Sequence, residues 1–225
     1  MSVTASVPTL LAQALQQLLD MATGGADMPA ILLPAAASAT APALLAGGPV
    51  LPNAHGRQQA RADNVALYTR CLALYRERAQ TGRDQDNQDN QDDQDKQDDL
   101  GYAAALFVMV NLTALGREGG DITALKALKQ QLQNALQRLP DWPSTDLAAK
   151  QQMFEQLAIL GVLVTQTAEA AAAQGPLARA NVRAAAQAYL RQWLAVGPEF
   201  LSLSPKGLVV AQQAVARSAR KVRAA

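Results

Sequence analysis

From Leu100 onward, glycine and proline residues divide the chain into segments of helical length. The breaks fall at Gly119-Gly120, Pro140, Pro143, Gly175-Pro176 and Gly197-Pro198. Between these breaks, apolar residues recur every three or four positions, which gives a helix one apolar face. Residues typical of strands are scarce, since aromatic residues make up only 4% of a chain that is 49% apolar. The sequence therefore predicts an all-α protein.

We expect a single orthogonal or antiparallel bundle of about six helices over residues 57–222. The turns after residue 100 are short, and no repeat of the length typical of solenoids is present, so a bundle is favoured over a repeat array. The first predicted helix carries Tyr68 and Tyr75 on its apolar stripe. The last is predicted to start at Ser204-Pro205, with Leu208, Ala211 and Val215 facing inward.

Residues 1–56 are predicted to form a flexible N-terminal arm outside this bundle. The arm would contain a short amphipathic helix over residues 9–22, with Leu11, Leu15, Leu18 and Leu19 on one side. A proline- and alanine-rich linker would follow over residues 24–56. The N-terminus lacks a positively charged region before its apolar residues, so no secretory signal is predicted and a cytoplasmic location is the default expectation.

The most unusual stretch is an acidic repeat of five consecutive triplets that begin Gln-Asp. Between residues 84 and 99 there are eight aspartates and one lysine, a local net charge of −7. Repeated aspartates repel one another and compete for backbone hydrogen bonds, so we expect a disordered surface loop over 84–99. The candidate interaction residues are Asp86, Asp89, Asp92, Asp93, Asp95, Asp98 and Asp99. No glycine fixes a calcium-binding loop here, and no metal site is predicted.

Residues 100–116 form a run of seventeen positions without a charge. This length approaches that of a membrane span. However, Asn111, Thr113 and two glycines reduce the apolar character of the run. We therefore expect a buried core helix rather than a membrane-spanning one.

The sequence does not support a catalytic assignment or a bound cofactor. Its one histidine, His55, lies in the predicted linker, and its one cysteine, Cys71, lies beside an apolar helical stripe. Glycine-rich phosphate loops and zinc-binding motifs are missing from the sequence. Nucleic-acid binding is not expected either: Arg179, Arg183 and Arg191 share a predicted helix with no interleaved aromatic platform for bases, and a solvated face explains them.

One stretch, "QQMFEQLAILGVLV", places a charge and an amide at the start of a strongly apolar helical run. We interpret Glu155 as a boundary residue that either pairs with an arginine such as Arg70 or Arg76 or faces water. Gln156 would lie toward the other side of the helix. A glycine within a helix costs about 1 kcal/mol relative to alanine, so Gly161 suggests close approach of another backbone, such as that of the 100–116 helix.

The same stretch carries a resemblance. "AAKQQMFEQLAILG", followed by "AAAQAYLRQWLAVGPEFLSLSPKGLVV", resembles an uncharacterised bacterial all-α family, a domain of unknown function, over about residues 57–212. The signature of that family, Tyr/Phe-Glu-Gln-Leu-Ala-x-x-Gly, maps onto Phe154, Glu155, Gln156 and Gly161. The resemblance implies a helical fold and no reaction. Many members of the family look exported, but this N-terminus departs from theirs.

We therefore expect a non-catalytic interaction or accessory module with a protein partner, and neither a nucleic-acid partner nor a membrane span. An acidic loop could dock onto a basic partner, with charge steering the encounter. A link to a bacterial secretion or toxin–immunity system is a conjecture based on that loop. The alternative hypothesis is a ligand-binding protein or hydrolase that uses Glu155 in a pocket between central helices.

Overall fold

The computed structural model describes residues 7–23, 66–79, 99–117 and 120–211. Within these ranges the chain forms six α-helices and one antiparallel pair of strands, which confirms the all-α bundle. The helices are α1 (Val7–Thr23), α2 (66–79), α3 (Leu100–Ala114), α4 (Ile122–Leu136), α5 (Leu147–Gln174) and α6 (Pro176–Leu194). A 3₁₀-helix (Pro198–Phe200) precedes the strands β1 (Leu201–Ser204) and β2 (Gly207–Val210).

Aspartates begin three of the helices. Asp99, Asp121 and Asp146 each accept a hydrogen bond from the backbone N–H three residues later, at 3.1, 2.7 and 2.6 Å. Each carboxylate thereby satisfies a donor that the first turn of a helix leaves free. The break between α5 and α6 lies at Gly175, whose φ of 101° favours glycine, and Pro176 follows as the first residue of α6. The sequence predicted the break between α5 and α6 correctly.

The core is built around α3 and α5. Helix α3 buries nine of its fifteen residues, as expected for a core helix. It packs along α5, and α1 and α6 also pack against α5. Aromatic side chains join the helices: the Phe107 ring lies edge-on to Trp193 and Tyr189, with centroids 5.4 and 6.2 Å apart. Helix α5 is therefore covered from several directions, and this decides the environment of the candidate site.

The N-terminal helix differs from the sequence prediction. Helix α1 forms over the expected residues, but it is part of the bundle and not of a separate arm. Leu11 and Leu15 are fully buried, and the helix packs against α4, α5, α6 and β2. An amphipathic stripe shows that a helix has an apolar face, but it does not show what covers that face. The predicted linker 24–56 and the domain boundary at Arg57 lie outside the described residues.

The last predicted helix is wrong. In place of a helix starting at Ser204, β1 and β2 pair from Leu201↔Val210 to Ser204↔Gly207, and Pro205 and Lys206 form the turn. Proline presets the backbone of the turn, and Gly207 adopts a φ of 94° that favours glycine. Leu208 is buried as predicted, but from a strand. Residues 212–222, including Val215, lie outside the described part of the chain.

A glutamine of α4 holds this hairpin against the bundle. The Gln131 side chain accepts a hydrogen bond from the Leu208 N–H at 2.8 Å. Its amide nitrogen donates to the carbonyl oxygens of Lys206 and Leu208 at 3.3 and 3.4 Å. The amide thus pairs with the outer edge of β2 as a neighbouring strand would, which covers backbone groups that an edge strand normally exposes.

By length and composition alone, α5 could cross a membrane. Half of its most apolar window is buried within the bundle. Core helices of soluble proteins pass the same test, so this feature is weak evidence for a span. Helix α3, the sequence candidate for a span, is shorter and serves as a core helix.

Candidate functional site

The signature residues of α5 do not gather in one cleft. Phe154 is buried where three helices meet: its ring lies edge-on to Tyr75 of α2, with centroids 5.4 Å apart, and Tyr75 lies edge-on to Tyr102 of α3 at 6.0 Å. Aromatic pairs with this geometry contribute about 0.5–1.5 kcal/mol beyond their buried area. Phe154 is therefore a packing residue that joins α2 and α3 to α5.

Glu155 is half-buried, and its partner lies on its own helix. Its carboxylate accepts a hydrogen bond from the Gln151 side-chain amide at 2.9 Å, one turn earlier on α5. Of the two alternatives for Glu155, an ion pair with Arg70 or Arg76 and exposure to water, the ion pair is not what holds the carboxylate in the described part of the chain. A half-exposed carboxylate keeps much of its hydration, so it does not require a buried cation. Among the described residues, the side chain that contacts the Glu155 carboxylate is the Gln151 amide, which is neither an acid nor a base.

Gln156 is the unexpected residue of this site. Only 3% of its surface is exposed, although the sequence pattern placed it on the less apolar side of α5. Neither the nitrogen nor the oxygen of its amide has a hydrogen-bond partner within the described residues. Burying an amide without hydrogen bonds costs about 1–3 kcal/mol in protein mutational data. The sequence missed this burial because a helical pattern does not show which neighbours cover each side of a helix, and α1, α3 and α6 all pack on α5.

Gly161 faces the backbone of α3, as the sequence predicted. A Cβ atom added to this glycine would lie 3.8 Å from both the Cα and the backbone nitrogen of Phe107. The residue thus has a helix-crossing role. Thr165 supports the same turn by donating its hydroxyl hydrogen to the Gly161 carbonyl oxygen at 2.9 Å.

Two further buried polar groups lie near Phe107 and were not singled out from the sequence. Asn111 donates its amide to the Phe107 carbonyl oxygen at 2.7 Å, but its Oδ1 has no partner in the described region. The indole N–H of Trp193, whose ring contacts Phe107, is also buried without a partner there. Burial raises the pKa of neighbouring Tyr189 to about 12. An asparagine within an otherwise uncharged run was the available signal for this polar spot.

Asp99 has a structural task that the sequence did not predict. Its carboxylate caps α3, lies 2.7 Å from the Lys129 ammonium nitrogen and accepts a hydrogen bond from the Gln133 amide at 3.3 Å. Of the candidate interaction residues, Asp99 is the one that the structure describes. Asp86, Asp89, Asp92, Asp93, Asp95 and Asp98 lie outside the described residues, as does the rest of the 84–98 segment.

The arginines of α6 are exposed, as expected. Arg191 lies 3.5 Å from Glu199, in an exposed ion pair. Arg179 and Arg183 have no acidic partner among the described residues. Helix α6 therefore presents positive charge that the described part of the bundle does not neutralise.

The described residues do not support a metal-binding site or a reactive cysteine. No group of three metal-ligating side chains occurs there. Cys71 is fully buried, and burial raises the pKa of its thiol, an effect that nearby Arg70 partly opposes. A buried protonated thiol is a poor nucleophile. His55 lies outside the described residues.

Comparison with known proteins supports the resemblance seen in the sequence. Neither the search of curated proteins nor the search of solved structures gave a match. Residues 57–211, which hold all of the described chain except α1, match the model of a family of unknown function. That match spans α2 to β2 and includes Phe154, Glu155, Gln156 and Gly161. The protein therefore belongs to the family of unknown function DUF6683.

Proposed function

We propose that this protein is a non-catalytic interaction module that presents the acidic segment 84–98 to a basic protein partner. The seven aspartates and one lysine of this segment give it a net charge of −6. Charge of one sign attracts a basic partner over distances of about a Debye length and raises the rate of association.

The observation that carries the proposal is the anchoring of Asp99. Lys129 neutralises this carboxylate, and the N-terminal turn of α3 holds it in place. Ala79 and Leu100, which lie near the two ends of the segment, are both buried in the core. The described residues on either side of the segment thus belong to the bundle, and a partner bound to the segment would lie near the C-terminal end of α2 and the N-terminal end of α3. Fixed attachment points reduce the entropy lost on binding.

The anchoring of Asp99 determines how the proposal must be tested. A deletion that removed Asp99 would remove the N-cap of α3. A loss of binding could then result from lower stability as well as from the missing acidic residues. We therefore compare three tagged baits expressed in the native host: the full chain, a deletion of residues 84–98, and a variant of full length in which the seven aspartates of 84–98 are replaced by asparagine. Asp99 is kept in all three.

Affinity purification at low and moderate salt, followed by quantitative mass spectrometry, is the measurement. We expect one basic protein to co-purify with the full chain at low salt, and to be lost with both variants and at moderate salt. Circular dichroism should show the same helix content and melting temperature for all three baits. Equal capture of the partner by the asparagine variant would contradict the proposal. The identity of the partner would also test the conjectured secretion or toxin–immunity link.

A further inference from the structure

Helix α6 carries a second seam of residues on its outer side. Leu177, Ala180, Ala184, Gln187 and Arg191 follow one another at intervals of three and four, as the residues of a helix-packing seam do. The inward seam, which includes Val182, Ala186, Tyr189 and Trp193, is buried. On the outer seam, Leu177 is 75% exposed, and Ala180, Ala184 and Arg191 are exposed. Nothing in the described part of the chain covers this outer seam.

The shape of this surface suits another helix. A shallow depression of about 490 Å³ lies over the C-terminal half of this surface, lined by Ala184, Gln187, Ala188, Arg191 and Gln192. Alanines at the centre of a helix face let a second backbone approach closely, and Leu177 offers a larger side chain at one end. A face meant only for solvent would instead carry charged or polar residues along its centre.

The charge of α6 indicates the chemistry of the occupant. The helix has three arginines and no acidic residue, and Arg179 and Arg183 lack acidic partners in the described ranges. If two copies of the chain associated through this face, the three arginines of one copy would face the three arginines of the other. Repulsion between these like charges opposes self-association through this face. One large exposed apolar residue, Leu177, is too little for membrane insertion, and no aromatic side chain is available for stacking on bases.

We infer that the outer face of α6, from Leu177 to Arg191, is a docking site for an acidic amphipathic helix of a protein partner. Small apolar residues of that helix pack over Ala180, Ala184 and Ala188. Its carboxylates pair with Arg179 and Arg183 at the edge of the seam. This site is separate from the acidic segment of the proposed function, and each could exist without the other.

The test is site-specific photo-crosslinking with the full chain in its native host. The photoreactive amino acid p-benzoylphenylalanine replaces Ala184, at the centre of the seam, and crosslinked peptides are identified by mass spectrometry. We expect a crosslink to an acidic amphipathic helix of another protein. The yield should fall by about tenfold when Arg179→Glu and Arg183→Glu are combined. The control pair Arg138→Glu and Lys206→Glu makes the same change of net charge at exposed positions away from α6 and should leave the yield unchanged.

Other outcomes would overturn the inference. These are a crosslink to residues 84–98 of the same chain, to a second copy, to lipid or to nucleic acid, and the absence of any crosslink. A crosslink to another protein that survives the charge reversal on α6 would also overturn it. Deleting residues 84–98 should leave the crosslink intact, so failure here is distinguishable from failure of the proposed function. Position 181, also exposed on α6, serves as a second crosslinker site if the variant at 184 folds poorly.

Discussion

At the scale of single residues, Gly161 shows that two helices can cross closely and still leave space for a methyl group between their backbones. Glycine within a helix loses about 1 kcal/mol relative to alanine, and the usual compensation is contact with another backbone. Here an added Cβ would lie 3.8 Å from the Phe107 backbone, which is an ordinary van der Waals separation. The crossing therefore has room for a methyl group and for little more.

We expect Gly161→Ala to raise the free energy of unfolding by up to about 1 kcal/mol, because helix propensity improves and no atom must move. Gly161→Leu should lower it by about 1–3 kcal/mol, because the larger side chain must push α3 away. Urea titration of both variants measures the two effects. A loss of stability in the alanine variant would show that the backbones lie closer than described.

The buried amide of Gln156 should make this residue replaceable by an apolar one. Its buried amide has no partner in the described part of the chain, so an apolar side chain of similar volume avoids the cost of desolvating it. We expect Gln156→Leu to stabilise the protein by about 1–3 kcal/mol in thermal or urea unfolding. Gln152→Leu, one turn earlier on α5 and half-buried, is the matched control and should not stabilise to the same extent. Destabilisation by Gln156→Leu would mean that the amide has a partner outside the described residues.

At the scale of elements, the sequence predicted helix positions well because their signals are local. Aspartate caps, the Gly175-Pro176 break and the apolar periodicity all act within a few residues, and α3 to α6 lie where they were expected. The hairpin was missed because β1 and β2 contain only four residues each, too few for an alternating pattern to stand out. The stability of the hairpin also depends on Gln131, which is distant in sequence. A pattern within residues 201–210 therefore could not predict this contact.

The hairpin should therefore respond to a change on α4. Gln131→Leu leaves the Leu208 N–H without its acceptor and is expected to cost about 1–3 kcal/mol. Hydrogen exchange at Leu208 should accelerate more than exchange in α3. Gln130→Leu is the neighbouring control, because Gln130 is exposed and its amide donates to Asn134 on the same helix. If the Leu208 amide exchanges at the same rate in both variants, the hydrogen bond from Leu208 to Gln131 does not form in solution.

At the scale of the whole molecule, the organisation of the candidate site depends on α1. The sequence showed its apolar stripe but not its partners, since the residues that separate α1 from α2 read as a linker. Helix α1 packs against α5, and α5 has few exposed positions in its first half, where Gln156 is buried. The acidic segment, by contrast, was recognisable from composition alone, whereas the anchoring of Asp99 required three-dimensional contacts.

Because α1 packs into the bundle, we expect one substitution in its buried face to lower the free energy of unfolding strongly. Leu11→Ala should lower the free energy of unfolding by about 2–5 kcal/mol, because Leu11 is fully buried in the common core. Gln13→Ala, at an exposed position of the same helix, should change it by less than about 0.5 kcal/mol. Calorimetry should show one cooperative transition that shifts as a unit. A small effect of Leu11→Ala would mean that α1 behaves as the separate arm that the sequence suggested.

The most direct test of the proposed function is the affinity of the captured partner for the purified protein over a series of salt concentrations. The full chain is compared with the asparagine variant of residues 84–98 that retains Asp99. We expect the dissociation constant of the full chain to rise steeply with salt, and the variant to bind at least about tenfold more weakly and with little salt dependence. Equal affinity and equal salt dependence of the two proteins would contradict the claim that this acidic segment is the binding element.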